Sequence, residues 1–277
     1  MTVKEVTDGI LKLTGVEIPD ERTCDHLVVG DPDRQVTGIV STFMVTMEVL
    51  RKTVEACANL IITHEPTHVF ERRIPDPFFR TTPVFDAMNR IVEEHGISIW
   101  RFHDHMHAAV EEDGIYRGLE KEIGWARYRM PPVEGSRFNH FGACYEIPET
   151  TLSGLADFFK EKMEMKGVRI VGRRDTPVRR VGILVGGGSQ GLGDPLNPLK
   201  IMEERDLNVI VCGEIMELLS AAFVREMSNL GYDRSMLILG HERSEESGMK
   251  YLGEWISPVI GEIPVTFVDS RDPFDYL

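Results

Sequence analysis

The chain has little of what would mark it for a membrane, an oxidising compartment or a polyanion. Its 277 residues include four cysteines, Cys24, Cys57, Cys144 and Cys212, and no two stand at Cys-x-x-Cys spacing. Cysteine is therefore a poor candidate for disulfide or metal ligand. Cys57, Cys144 and Cys212 lie within apolar stretches and read as small core residues, and a reducing cytoplasm is the expected location. No run approaches the roughly 18 uninterrupted apolar residues of a membrane span, and the polar start Met1-Thr-Val-Lys-Glu-Val-Thr-Asp-Gly9 does not read as a secretory signal. Positive charge is scarce: 31 Lys and Arg stand against 45 Asp and Glu, for a net charge of −14. The arginine pairs Arg72-Arg73, Arg173-Arg174 and Arg179-Arg180 form no long basic face, so direct nucleic-acid binding is not expected. A Gly-x-Ser-x-Gly elbow is missing, and with it any serine or cysteine nucleophile motif.

What is present is imidazole and carboxylate, gathered just after short apolar runs. Three such places are Leu60-Ile-Ile-Thr-His64-Glu65-Pro66, Ile99-Trp-Arg-Phe-His103-Asp-His105-Met-His107 and Leu237-Ile-Leu-Gly-His241-Glu-Arg-Ser-Glu245. Each run predicts a buried strand with the polar cluster at its C-terminal end, where open α/β sheets place their working residues. Neutral imidazoles and ionised carboxylates converging on one rim suit a divalent metal.

The surrounding segments alternate. Strands are predicted at 36–41, 60–62 and 97–102, with helices at 3–13, 46–58 and 85–95. Thr46 is placed as an N-cap and Gly96 as a helix stop. After residue 175 the rhythm resumes, with strands at 181–185, 208–211, 235–239 and 265–268, and helices at 214–227 and 242–256. This predicts an α/β fold, a mostly parallel or mixed sheet with helices on both faces. Strand 141–147, helix 151–166 and strand 168–171 read as a smaller strand-helix-strand lobe. The expected division is thus 1–130 with 175–277 as the domain carrying the site, and 131–174 as an inserted lobe.

Local sequence leaves roles open. The spacing of four between His241 and Glu245 brings both onto one helical face, fit to bind a metal. The plain alternative makes His241 a helix cap and Glu245 a surface partner of Lys250 or Arg243. His64-Glu-Pro-Thr-His68 matches the His-Glu-x-x-His zinc-protease pattern literally, but a proline sits inside it and the run before it is strand-like, so the match reads as accidental. In an extended chain His103, His105 and His107 would share one side; local sequence does not say which of them ligates. Gly186-Gly187-Gly188-Ser189-Gln-Gly191 after a strand either holds a phosphate on backbone N–H groups or is a tight turn; it lacks a P-loop lysine.

Together with Pro177-Val-Arg-Arg-Val-Gly-Ile-Leu-Val-Gly-Gly-Gly-Ser189, Cys212-Gly-Glu214 and Gly240-His241-Glu-Arg-Ser-Glu245, these motifs resemble, in order, those of the Nif-three-like dinuclear metal-centre family, also described as GTP cyclohydrolase type-two-like. The resemblance spans nearly the whole chain. It implies two divalent ions on His64, Glu65, His107, His241 and Glu245; mixed N and O donors suit Zn, Mn, Fe, Co or Ni, and His103 is a further candidate ligand from its own cluster. Asp104 and His105 are alternatives at the His107 position. This chain departs from the family pattern by carrying Glu65 where a second histidine is usual and His107 where an aspartate is usual, so the inventory of three imidazoles and two carboxylates is kept. The resemblance also implies a toroidal homohexamer. The expected activity is a metal-dependent hydrolase for a phosphorylated or nucleotide-like small anion. Glu65 and Glu245 are its catalytic carboxylates, and Gly187, Gly188 and Ser189 meet the phosphate. A non-catalytic metal-binding or delivery protein and an oligomeric interaction adaptor are the alternatives.

Overall fold

The computed structural model describes residues 1–70, 78–136, 138–139 and 142–277. The pair Arg72-Arg73, His140 and Phe141, the expected first residue of the strand at 141–147, lie outside the described residues. In chain order the elements are α1 (Val3–Thr14), β1 (His26–Val29), β2 (Ile39–Thr42), α2 (Met47–Glu55), β3 (Leu60–Thr63), α3 (Pro83–His95), β4 (Ser98–Arg101), α4 (Asp104–His107) and α5 (Gly114–Ile123). There follow β5 (Ala143–Thr151), α6 (Leu152–Lys162), β6 (Arg169–Val171), β7 (Pro177–Leu184), α7 (Asn197–Glu204), β8 (Val209–Cys212), α8 (Ala222–Asn229), β9 (Ser235–Ile238), α9 (His241–Lys250), α10 (Leu252–Ile260) and β10 (Val265–Phe267).

These elements form two compact units, Met1–Gly118 with Glu246–Arg271, and Leu119–Glu245 with Asp272–Leu277. The first is built on a sheet of order β1-β4-β3-β2-β10. Four of its strands run parallel, and β1 is an antiparallel edge. Val40, Ile61 and Ile99 from three neighbouring strands pack with Val49 and Leu50 of α2 and Val92 of α3. The caps follow the sequence. Thr46 Oγ1 accepts the Val49 N–H, Thr82 Oγ1 accepts the Phe85 N–H, and Gly96 ends α3 at φ 60, a left-handed turn that glycine enters without a Cβ penalty.

The second unit carries a sheet of order β5-β7-β8-β9-β6. Its three inner strands are parallel and its two edges antiparallel. Ile210, Met236 and Leu184 pack with Met202 of α7 and Val224 of α8. The mixed α/β class expected from sequence is what folds, but as two sheets. The strands of the expected 131–174 lobe, β5 and β6, do not pair with each other. They close opposite edges of the second sheet, on β7 and β9. A strand-helix-strand pattern reads as one local unit because sequence reports neighbours along the chain, whereas strand pairing is made across it. Cys57 also departs from its expected core position: it is exposed, at φ 53 just after α2. All four cysteines are unpaired thiols.

Candidate metal centre

Parallel pairing fixes where the polar clusters fall. β3 and β4 run in register from Leu60↔Ser98 to Thr63↔Arg101, so the residues that follow, His64 and His103, emerge at one edge of the first sheet. In the second sheet, β7, β8 and β9 are likewise parallel. They deliver Gly186, Glu214 and His241 to one edge, as the rule for open sheets anticipates.

In the first unit, ligand atoms of His64, His103 and His107 lie within 4.8 Å of one another. The ring centroids stand 4.5 Å (His64–His103), 5.0 Å (His64–His107) and 4.9 Å (His103–His107) apart. Each ring is turned by an outer partner on Nδ1. His64 Nδ1 meets the Phe102 carbonyl at 3.2 Å, His103 Nδ1 meets Asp104 Oδ1 at 2.8 Å, and His107 Nδ1 meets Asp113 Oδ2 at 2.8 Å. Carbonyl and carboxylate oxygens only accept, so Nδ1 carries the proton and Nε2 is the basic nitrogen of each ring. Acceptors behind histidine in this way set the tautomer and raise the basicity of a ligating nitrogen. The Asp104 carboxyl is held well below the usual carboxylate range, first by its hydrogen bond with His103 and then by the Cys24 backbone N–H.

Extended alternation at 103–107 is corrected here. The segment is a single helical turn, closed by the His107 N–H donating to the His103 carbonyl at 3.1 Å. The cause is Asp25, whose carboxylate accepts the N–H groups of His103 (2.6 Å), Asp104 (2.9 Å) and His105 (2.9 Å). A carboxylate over the orphan donors of a helix start is a strong cap. The turn brings His103 and His107, four apart, together and sends His105 the other way. There the buried His105 Nδ1 pairs with Asp25 Oδ2 at 2.8 Å. His105 is thus tied into the structure behind the triad. Cys24 also has its sulfur within 4.8 Å of ligand atoms of His103 and Asp104. Burial pushes its thiol up to about 12, which keeps it protonated and a weak donor.

Glu65 follows His64 but is claimed by a cation that sequence reading missed. Arg101, the last residue of β4, places NH2 3.2 Å from Glu65 Oε2 and donates Nε–H to the His64 carbonyl at 3.3 Å. Glu65 Oε1 stands 3.6 Å from His103 Nε2. Both members of the Arg101–Glu65 pair are only 14% exposed. The signal was present in the Thr63↔Arg101 register, which a linear reading cannot see.

The second unit holds a further cluster, around His241. His241 opens α9 with Nδ1 2.8 Å from Glu214 Oε1 and Nε2 3.2 Å from Glu245 Oε2. The cap-and-surface alternative for this pair does not hold, because Glu245 is 3% exposed and faces the imidazole. Ser244 Oγ accepts the Gly186 N–H at 2.9 Å and donates to the His241 carbonyl at 2.7 Å, locking the turn to the helix. Residues Gly186–Gln190 form a 3-10 turn. Ser189 is buried, and its hydroxyl bonds the carbonyls of Gly186 and Glu214, so it braces the turn from within. Gly187 and Gly188 have open space where a side chain would start. A Cβ on Gly186 would overlap the Glu245 carboxylate and stand 2.7 Å from His241 Nε2.

The donor set fits a divalent metal. It offers imidazoles with their outer nitrogens engaged, and carboxylates beside them, at separations that ligation at about 2.0–2.1 Å can draw together. The fold and these clusters define an α/β protein of two mixed sheets with histidine-rich candidate metal sites at the strand ends. Residues 1–273 match the DUF34/NIF3 (NGG1p interacting factor 3) family, and the chain belongs to it. Curated relatives include a protein named GTP cyclohydrolase 1 type 2 homolog from Clostridium perfringens, 21% identical over 284 residues and 100% of both chains. A protein of the same name from Chlamydia pneumoniae is 22% identical over 278 residues, 99% of this chain and 100% of that one. Among solved structures, a Bacillus cereus protein related to NIF3 superposes with a TM-score of 0.74 at 14% identity, covering 100% of this chain and 99% of that one. A Staphylococcus aureus hypothetical protein gives 0.70 at 18% identity over 100% of both.

Proposed function

We propose that the protein is a metal-dependent hydrolase that binds two divalent ions and acts on a phosphorylated or nucleotide-like small molecule. The observation that supports it best is the grouping of His64, His103 and His107, each with an acceptor on Nδ1 and with ligand atoms within 4.8 Å of one another. These three hold one ion, and His241 with Glu245 hold the second. Zinc, manganese, iron, cobalt and nickel all suit such donors. When bound, a divalent ion supplies a Lewis acid for a phosphoryl or amide oxygen and acidifies a water.

The chain's own groups then divide the work. Arg101 fixes one oxygen of Glu65 at 3.2 Å. Glu65 is therefore assigned as the general base beside the imidazoles, positioned through its other oxygen, rather than as a primary ligand. Glu245, held against His241, is the ligating carboxylate of the second ion. The Gly187–Gly188 backbone leaves room for a small anionic group to approach closely. The naming of relatives as GTP cyclohydrolase 1 type 2 homologs puts purine nucleotides in the substrate panel. Assembly as a homohexamer in the cytoplasm, implied by the family likeness, belongs to the same proposal.

The test is turnover of a panel of nucleotides and phosphodiesters by protein loaded with zinc or manganese. The expected result is metal-dependent turnover that His107→Ala and Glu65→Gln abolish. Tight metal binding without turnover across the panel would replace the hydrolase by a metal-storage or delivery role. Failure to bind metal, with partner capture that survives loss of the histidines, would replace both by an adaptor.

A further inference from the structure

The second unit carries a groove at the end of β7 remote from the Gly186 turn. β7 runs eight residues from Pro177 to Leu184, so its two ends are about 23 Å apart at the usual strand rise. At the Pro177 end, a cavity of about 390 Å³ is lined by Arg179, Arg180, Asn208 and the carboxylates of Glu146 and Glu149. A second, of about 480 Å³, shares Glu146, Glu149 and Arg179 and adds Arg127, Tyr128 and Arg129. A third, of about 270 Å³, shares Arg127, Tyr128, Ile147 and Pro148 with the second and is walled by Trp125 and Phe158. The three adjoin along these shared walls.

The groove has a structural cause. In the β5–β7 ladder Glu146 pairs with Arg180 and Thr150 with Val178. Three residues of β5, Ile147, Pro148 and Glu149, therefore stand opposite one of β7. Pro148 has no N–H to give a ladder. A bulge of this kind re-aims side chains and interrupts pairing, and bulges are frequent beside binding sites.

Charge and chemistry then define what would fill it. Four arginines and two glutamates line the three cavities, a gathering of guanidinium groups in a chain of net −14, with Glu120 and Asp206 balancing two of them from outside the lining. The guanidiniums are braced at their edges. Arg179 NH2 meets Glu146 Oε1 at 2.8 Å, Arg129 NH1 meets the buried Glu120 Oε1 at 3.4 Å, and Arg180 NH1 meets Asp206 Oδ2 at 3.2 Å. Arg127 lies 4.7 Å over the Tyr128 ring. A guanidinium offers five donors in a fixed fork, so bracing one edge orients the other for a phosphate. At the far end the Trp125 and Phe158 rings stack at 5.4 Å, and Ile147, Pro148 and Tyr128 add apolar wall.

We propose that this groove is a second ligand site, separate from the His241 cluster, for a small molecule that joins a planar ring to a phosphate group. The phosphate sits among Arg127, Arg129 and Arg179, and the ring lies toward Phe158 and Pro148. The site is independent of the hydrolase reading.

The test is calorimetric titration of the metal-loaded full chain with AMP, inorganic phosphate and adenosine. AMP is expected to bind more tightly than either fragment, and higher salt is expected to weaken it. Arg127→Ala and Arg179→Ala are exposed substitutions outside both metal clusters. Each is expected to raise the Kd about tenfold, the usual weight of one charge-assisted contact, and metal content and melting temperature should stay unchanged. His107→Ala is expected to leave AMP affinity intact. Absence of AMP binding at millimolar concentration, affinity unmoved by both arginine variants, or affinity lost in His107→Ala would each overturn the proposal. Inorganic phosphate matching AMP would overturn the ring half of it.

Discussion

Replacing Arg101 by methionine keeps the length and apolar stem of the side chain and removes its charge. Two contacts go, the 3.2 Å ion pair to Glu65 and the Nε–H bond to the His64 carbonyl. Breaking a fully buried pair from one side costs about 3–5 kcal/mol, because the remaining charge is stranded. Here both side chains keep 14% exposure, so water recovers part of that loss. The expected destabilisation is about 2–3 kcal/mol, equivalent to a fall in Tm of roughly 5–10 °C for the transition of the first unit. Glu65→Gln in the same background removes the stranded charge and should recover about 1–2 kcal/mol, which appears in a double-mutant cycle as coupling between positions 65 and 101. The assay is urea unfolding of the four metal-free proteins followed by circular dichroism. Additive effects of the two substitutions, or a loss below about 0.5 kcal/mol for Arg101→Met alone, would refute the clamp and with it the assignment of Glu65 as an outer carboxylate.

Four further outcomes follow from the same geometry. His107→Ala should lose one equivalent of metal by elemental analysis while unfolding normally. His105→Ala should keep its metal and lose stability, because His105 is buried against Asp25. Asp113→Asn removes the charge behind His107 and should weaken metal affinity about 10- to 100-fold with little change in fold. Gly186→Ala should disrupt the His241–Glu245 pair, since its Cβ would overlap the Glu245 carboxylate and its φ of 49 disfavours a side chain. A metal content and Tm equal to wild type would show that the turn is not packed as described.

Much of this architecture was legible along the chain. Leu60–Thr63 and Ser98–Arg101 are short apolar runs ending in polar residues, and they fold as the buried parallel strands that pattern predicts. Thr46 and Gly96 cap α2 and α3 as their residue types require. The spacing of His241 and Glu245 alone put both on one face of α9. What was not legible depends on distant partners. Asp25, some eighty positions before the turn it caps, makes 103–107 helical and selects His103 and His107 over His105. Arg101 reaches Glu65 only because β3 and β4 pair in that register. The edge strand β1 is half-buried and short, giving no clear period. The division into two sheets follows from β5 and β6 pairing with β7 and β9 rather than with each other, which no local pattern encodes. The long helix expected over 242–256 is interrupted at Tyr251, between α9 and α10.

The central claim is that His64, His103 and His107 share an ion. Anomalous diffraction from a zinc- or cobalt-loaded crystal, collected on both sides of the metal edge, measures it directly. The predicted result is a peak about 2.0–2.2 Å from the Nε2 atoms of all three rings, with Glu65 still paired to Arg101. An ion held through His105, an ion on Glu65 that leaves His103 unligated, or loaded crystals with no peak among the three imidazoles would contradict it.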